Sequence, residues 1–133
     1  MAEVRAARKN YQRDVGYIAR NFSFNFPGIG SAANIAVGTL PAGCLVTQVY
    51  VRIKTAFNAS TTNVLTVGTT ADGDHFVEAG DVDETSTGLT VLDRNIGEVY
   101  TADTPVWVQY TQSGDAATAG EADVVMTYVP AIK

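Results

Sequence analysis

Most of the residue types on which catalytic sites are built are nearly missing from this chain. Its 133 residues include one cysteine, one histidine and one tryptophan. A lone Cys44 excludes an intrachain disulfide and a zinc site made of clustered cysteines. Beside a predicted strand it is expected as a small apolar filler. The lone His75 lies between Asp74 and Phe76 in a turn-like stretch. Any Ser-His-Asp arrangement would have to use it, and no Gly-x-Ser-x-Gly elbow accompanies it. The glycines are scattered singly at turns and none precedes Lys-Ser or Lys-Thr, so a phosphate loop is excluded. Charged residues make up only 17%, and good helix formers are scarce past residue 20. Without crossover helices a parallel α/β fold cannot be built. No apolar run approaches the roughly 18 residues needed to cross a bilayer. The basic start is not followed by the apolar core of a secretory leader. The expectation is synthesis in a cytosol, with no membrane partner.

Acidic residues are concentrated in one stretch: Asp72, Asp74, Asp81, Asp83 and Glu84. They could offer oxygen ligands to Ca²⁺. The full D-x-D-x-D-G loop with a glutamate at its twelfth position is absent, and paired Asp in β-loops commonly form turns through their own side chains. Glycoside hydrolysis would need two carboxylates facing each other across a cleft, and no spacing here suggests such a pair. The sequence therefore leads us to expect no enzyme activity, no metal and no cofactor.

What the chain does contain is Gly, Ala, Thr and Val, with 46% apolar residues. That composition favours strands and tight turns. The length is that of one domain, able to bury roughly two-thirds of its unfolded surface. The net charge of −5 hides an asymmetry. Arg5, Arg8, Lys9, Arg13 and Arg20 outnumber Glu3 and Asp14 in residues 1–20, which carry about +3, leaving about −8 for the rest. A basic arm over 1–20 on an acidic domain over 21–133 suits contact with an acidic protein surface; a solvated tail is the alternative. The acidic body argues against broad nucleic-acid binding.

The strongest pattern runs from Thr39 to Phe57. After the turn Leu40-Pro41-Ala42-Gly43, Leu45, Thr47, Val49, Val51, Ile53, Thr55 and Phe57 alternate with Cys44, Val46, Gln48, Tyr50, Arg52 and Lys54. Period-2 alternation predicts a strand with the first set buried, leaving Arg52 and Lys54 on the outer face as candidates for partner contact. Ile18–Phe26 alternates likewise, with Phe22, Phe24 and Phe26 on one face. These are core or, since they follow the arm, an apolar patch at a subunit contact. Further strands are expected at 33–40, 64–69, 89–92, 96–101, 106–111 and 122–129. Trp107 shares its face with Gln109 and Thr111 and is a candidate interface residue. About eight short strands at this spacing predict an antiparallel β-sandwich, an eight-stranded jelly roll being the preferred form.

Three stretches together resemble small structural proteins of tailed bacteriophages, including capsid decoration (cement) proteins. They are Gly38-Thr-Leu-Pro-Ala-Gly43 with its valine-rich strand to Asn58, Leu65-Thr-Val-Gly-Thr69, and Ala117-Thr-Ala-Gly120 before the closing strand. The resemblance spans roughly residues 33–130 and marks fold positions only. It implies a virion protein on the capsid surface, made in the host cytoplasm. Its partners would be the major capsid protein and its own copies, as dimer or trimer. In that role Arg5, Arg8, Lys9, Arg13 and Arg20 would meet an acidic capsid surface, with Phe22, Phe24 and Trp107 as further contacts. A tail or head-fibre module binding a host surface glycan is the alternative.

Overall fold

The computed structural model describes residues 16–25 and 33–130. Alternating apolar and polar residues give seven strands: β1 (Gly16–Ser23), β2 (Ala33–Leu40), β3 (Leu45–Thr55), β4 (Thr62–Gly68), β5 (Gly88–Leu92), β6 (Thr104–Ser113) and β7 (Glu121–Val129). They make a four-stranded sheet ordered β1-β7-β3-β5 and a three-stranded sheet ordered β2-β6-β4. Every strand pairing is antiparallel. Consecutive strands belong to different sheets throughout, so each connection passes from one layer to the other. The result is a β-sandwich.

The inner faces meet in one apolar core. Val49, Val51, Leu65, Val67, Val106, Val108, Tyr110, Ala122, Val124 and Met126 are buried there. An aromatic row crosses it, with the Phe57 ring 6.3 Å from Phe22 and 4.7 Å from Tyr110 between centroids. The Tyr110 hydroxyl donates to Asn63 Oδ1 at 2.6 Å, which satisfies its polar end. Gly120 borders the row with φ +148°, and a Cβ there would collide with the Phe57 ring. Glycine is required at that position on both counts.

Three expectations are corrected. The first concerns β3, whose pairing with β7 shifts register between Val46 and Gln48 and again between Ile53 and Thr55. An extra residue at Thr47 reverses the parity of the faces. Cys44 and Val46 therefore face inward before the bulge, and Val49, Val51 and Ile53 after it, while Leu45 is exposed. The second is the eighth strand. Seven are found among the described residues, and 96–101 is turn and irregular chain, with Asn95 at φ 58° just before it. A lone antiparallel bridge, Val67↔Val77, stands outside the named strands on the free side of β4. The third is the start of the sandwich: β1 begins at Gly16, within the segment assigned to the arm. Arg5, Arg8, Lys9 and Arg13 lie outside the described residues, as does Phe26.

Candidate interaction surface

The outer face of the four-stranded sheet is built from cross-strand rows that the register defines. Asn21, Asp123, Arg52 and Leu89 stand side by side across β1, β7, β3 and β5. The next row holds Ala19, Val125, Tyr50 and Val91. Tyr17 follows beside Thr127 at the far end.

One end of this face carries charge. Asp123 accepts from Asn21 Nδ2 at 2.7 Å, from Arg52 Nε at 3.0 Å and from Arg52 Nη2 at 2.6 Å. Glu121 accepts from Asn21 Nδ2 at 2.9 Å and pairs with Lys54 at 3.3 Å. Partial burial pushes the Asp123 carboxyl up, but the hydrogen bonds from Asn21 and Arg52 and the adjacent cations outweigh it and leave it below the usual range. Glu121 is held low chiefly by the hydrogen bonds from Asn21 and Lys54. Arg52 and Lys54 are thus on the outer face as expected, but each already has an acid partner. As exposed ion pairs these contribute little to stability.

Beside these charges, from Leu89 in the Arg52 row to Tyr17 at the far end, the face is apolar and open. Tyr17 is 70% exposed, Leu89 60% and Val91 52%. A shallow groove of about 330 Å³ runs between Tyr50, Arg52, Leu89, Asp123 and Val125. Exposed and half-buried apolar side chains contiguous across four strands mark a contact surface more often than a solvated one. Leu89 and Val91 escaped the sequence reading for a definite reason. Gly88–Leu92 is apolar on both faces, so alternation could not say which side turned outward.

The remaining candidates are dispersed. Phe22 is 1% exposed and belongs to the core, so it offers no surface contact. Phe24 is partly buried against that core. Arg20 is exposed on β1 in register with Val124. Trp107 is half-buried on the opposite sheet, with Ala36 and Gly68 as its register neighbours. That face is partly covered, since Gly68 packs against the backbone of Gly73 and Asp74 and Asn34 donates to Asp72 at 3.2 Å.

The acidic stretch is engaged internally. Arg94 donates to both Asp81 oxygens, at 3.0 and 2.9 Å, and to Glu78 at 3.1 Å. Asp83 accepts from the Thr85 hydroxyl and N–H, which holds its carboxyl low. His75 pairs with Glu98. Glu84 is 6% exposed and its carboxylate accepts the Leu65 N–H. A second cleft, about 470 Å³, lies beside it between residues 61–64 and 80–85.

This arrangement of two sheets has parallels among solved structures. A chain of the cyanophage Pam1 capsid asymmetric unit matches with a TM-score of 0.69 and 21% identity, over 90% of this chain and 87% of that one. The fold is shared with phage capsid chains. A chain of the acidic stable capsid of the Helicobacter pylori bacteriophage KHP30 gives 0.64 and 18%, covering 89% and 90%. One from the capsid of Ralstonia phage GP4 gives 0.58 and 16%, covering 90% and 86%. No protein-family model matches the sequence, and no curated protein does.

Proposed function

We propose that this protein is a structural component of a bacteriophage virion that binds the outer surface of the capsid and stabilises contacts between major capsid subunits. The observation that carries the proposal is the fold likeness, which spans about nine-tenths of this chain and of each capsid chain it matches. We read the sandwich as a jelly roll in which one strand of the smaller sheet has shrunk to the Val67↔Val77 bridge. The strict alternation of strands between sheets supports that reading.

The role is mechanical and involves no bond-making step. Packed DNA pushes outward on a capsid, and a protein gripping two neighbouring subunits opposes their separation. Each copy can contribute modestly, because linked contacts act at high effective concentration. Two regions are suited to the grip. One is the basic segment with Arg5, Arg8, Lys9 and Arg13, which leads into β1 at Gly16. The other is the open apolar end of the larger sheet, around Tyr17, Tyr50 and Val125, to which that segment leads.

Fractionating virions into filled heads and detached tails and probing each for the native protein tests the location. Presence on heads is expected; presence on tails alone overturns the proposal. A glycan array with a clear hit would favour the fibre reading instead.

A further inference from the structure

The four edge strands of this sandwich are not equivalent. Each sheet has two, and three of the four carry a feature that obstructs pairing with another strand. β1 has Arg20 exposed on the side that otherwise carries the buried Ile18 and Phe22. β2 breaks its register between Ala36 and Gly38, and Gly38 packs closely on the Ile18 side chain of β1. β4 is overlain by the chain from Phe76 to Glu84. Val67 N–H is bonded to Val77 O at 3.2 Å, and Leu65 N–H to the Glu84 carboxylate at 2.9 Å.

β5 has none of these. Its five residues, Gly88-Leu-Thr-Val-Leu92, include no charge and no proline. It pairs with β3 on one side and ends its sheet on the other. Among the described residues no other strand joins it. Its outward side chains, Leu89 and Val91, are more than half exposed. An uncharged, apolar, open edge is a site for strand addition.

We propose that β5 pairs antiparallel with β5 of a second copy of this chain, joining the two four-stranded sheets into one of eight strands across a two-fold axis at Thr90. The strand itself argues for this occupant. Its pattern is symmetric about Thr90, so the two-fold sets Leu89 against Val91 of the other copy and Gly88 against Leu92. Paired residues then keep the same face, as register demands. Apolar side chains meet apolar side chains on the outside, and no like charges are brought opposite each other. Asp93, just beyond the strand, faces the neutral Thr87 of the second copy. The interface is isologous and closes at two copies. It also makes the apolar patch continuous, since the Tyr50, Leu89, Val91 and Val125 surface of one copy abuts that of the other. This pairing rests on the edges alone and not on the capsid proposal.

The test uses the full chain in solution without capsids, so its failure is distinct from a failure of the capsid proposal. Sedimentation velocity should give twice the 14.1 kDa chain mass for the native protein. Val91→Lys places two like charges beside the axis from exposed positions and should return the mass to that of one chain, with an unchanged circular dichroism spectrum. Thr90→Cys supplies a second readout that does not depend on losing assembly. The axis sets this residue beside its own copy at about 4.5–5.5 Å between Cα atoms, within disulfide range, while Cys44 is buried. Mild oxidation should give a covalent dimer from Thr90→Cys at least tenfold faster than from Asp115→Cys, a cysteine in an exposed loop. A native chain that stays single at high concentration overturns the proposal. So does a dimer that Val91→Lys leaves intact, or a Thr90→Cys variant that oxidises no faster than the control.

Discussion

Glu84 Oε2 accepts the backbone N–H of Leu65 at 2.9 Å, placing a buried carboxylate on the open edge of strand β4. The bond is local in effect but distant in sequence, and it closes one edge of the smaller sheet. Burial pushes the Glu84 carboxyl above its usual value of 4.5, against the backbone hydrogen bonds that lower it.

That direction fixes the sign of a pH effect. A raised carboxyl means that the ionised form is penalised in the folded state, fully above the folded value. The penalty is relieved as pH falls through the folded value towards 4.5. Glu84→Gln keeps an acceptor for Leu65 without the charge. It should be as stable as the native protein or more so at pH 7, and the difference should shrink on acidification. Glu84→Ala leaves the N–H without that acceptor and should fall below Glu84→Gln by about 1–3 kcal/mol. Urea titrations at pH 7 and pH 4.5 measure both.

Asp123 has the opposite sign. Its folded value lies below 3.8, so its contribution is present above 3.8 and lost as pH falls through the folded value. Asp123→Asn should cost under about 1 kcal/mol at neutral pH, because Arg52 is largely exposed. The cost should vanish in acid. A cost that persists at pH 2 would assign the effect to packing.

Arg94 should control the cover over the β4 edge. Removing it as Arg94→Ala leaves Asp81 and Glu78 without their shared partner. Amide hydrogen exchange at Leu65 and Val67 should then accelerate, while Val49 and Val124 in the larger sheet keep their protection. Uniform acceleration would mean global destabilisation.

The aromatic row sets the largest single effects. Phe57→Ala opens a cavity between Phe22 and Tyr110 and should cost about 3–5 kcal/mol. Gly120→Ala should also be strongly destabilising, through its positive φ and the collision with the same ring. Thermal unfolding of both variants checks this.

Deleting residues 1–15 should leave the sandwich folded, because the truncation stops before Gly16 pairs with Tyr128. Capsid binding, if it uses the basic segment, should weaken at least tenfold and lose most of its salt dependence. A truncated chain that folds and binds as tightly as the full one removes the arm from the proposed contact.

Composition and alternation by themselves determined the fold class and the positions of all seven strands, because a strand with one buried face must repeat with period two. They also placed Arg52 and Lys54 outside, since long charged side chains resist burial. Tertiary structure decided the rest. The Thr47 bulge turns Cys44 and Val46 inward and Leu45 outward while Val49, Val51 and Ile53 stay buried as expected, and only the pairing with β7 reveals it. Phe22 became core because Phe57, 35 positions away, comes to lie against it. Leu89 and Val91 became surface because their register with β3 sets them beside Arg52 and Tyr50 on the outer face, and β5 ends its sheet; no local pattern contains either fact. Local sequence sets what each segment can form; which face is wet, and which edge is open, depends on neighbours far along the chain.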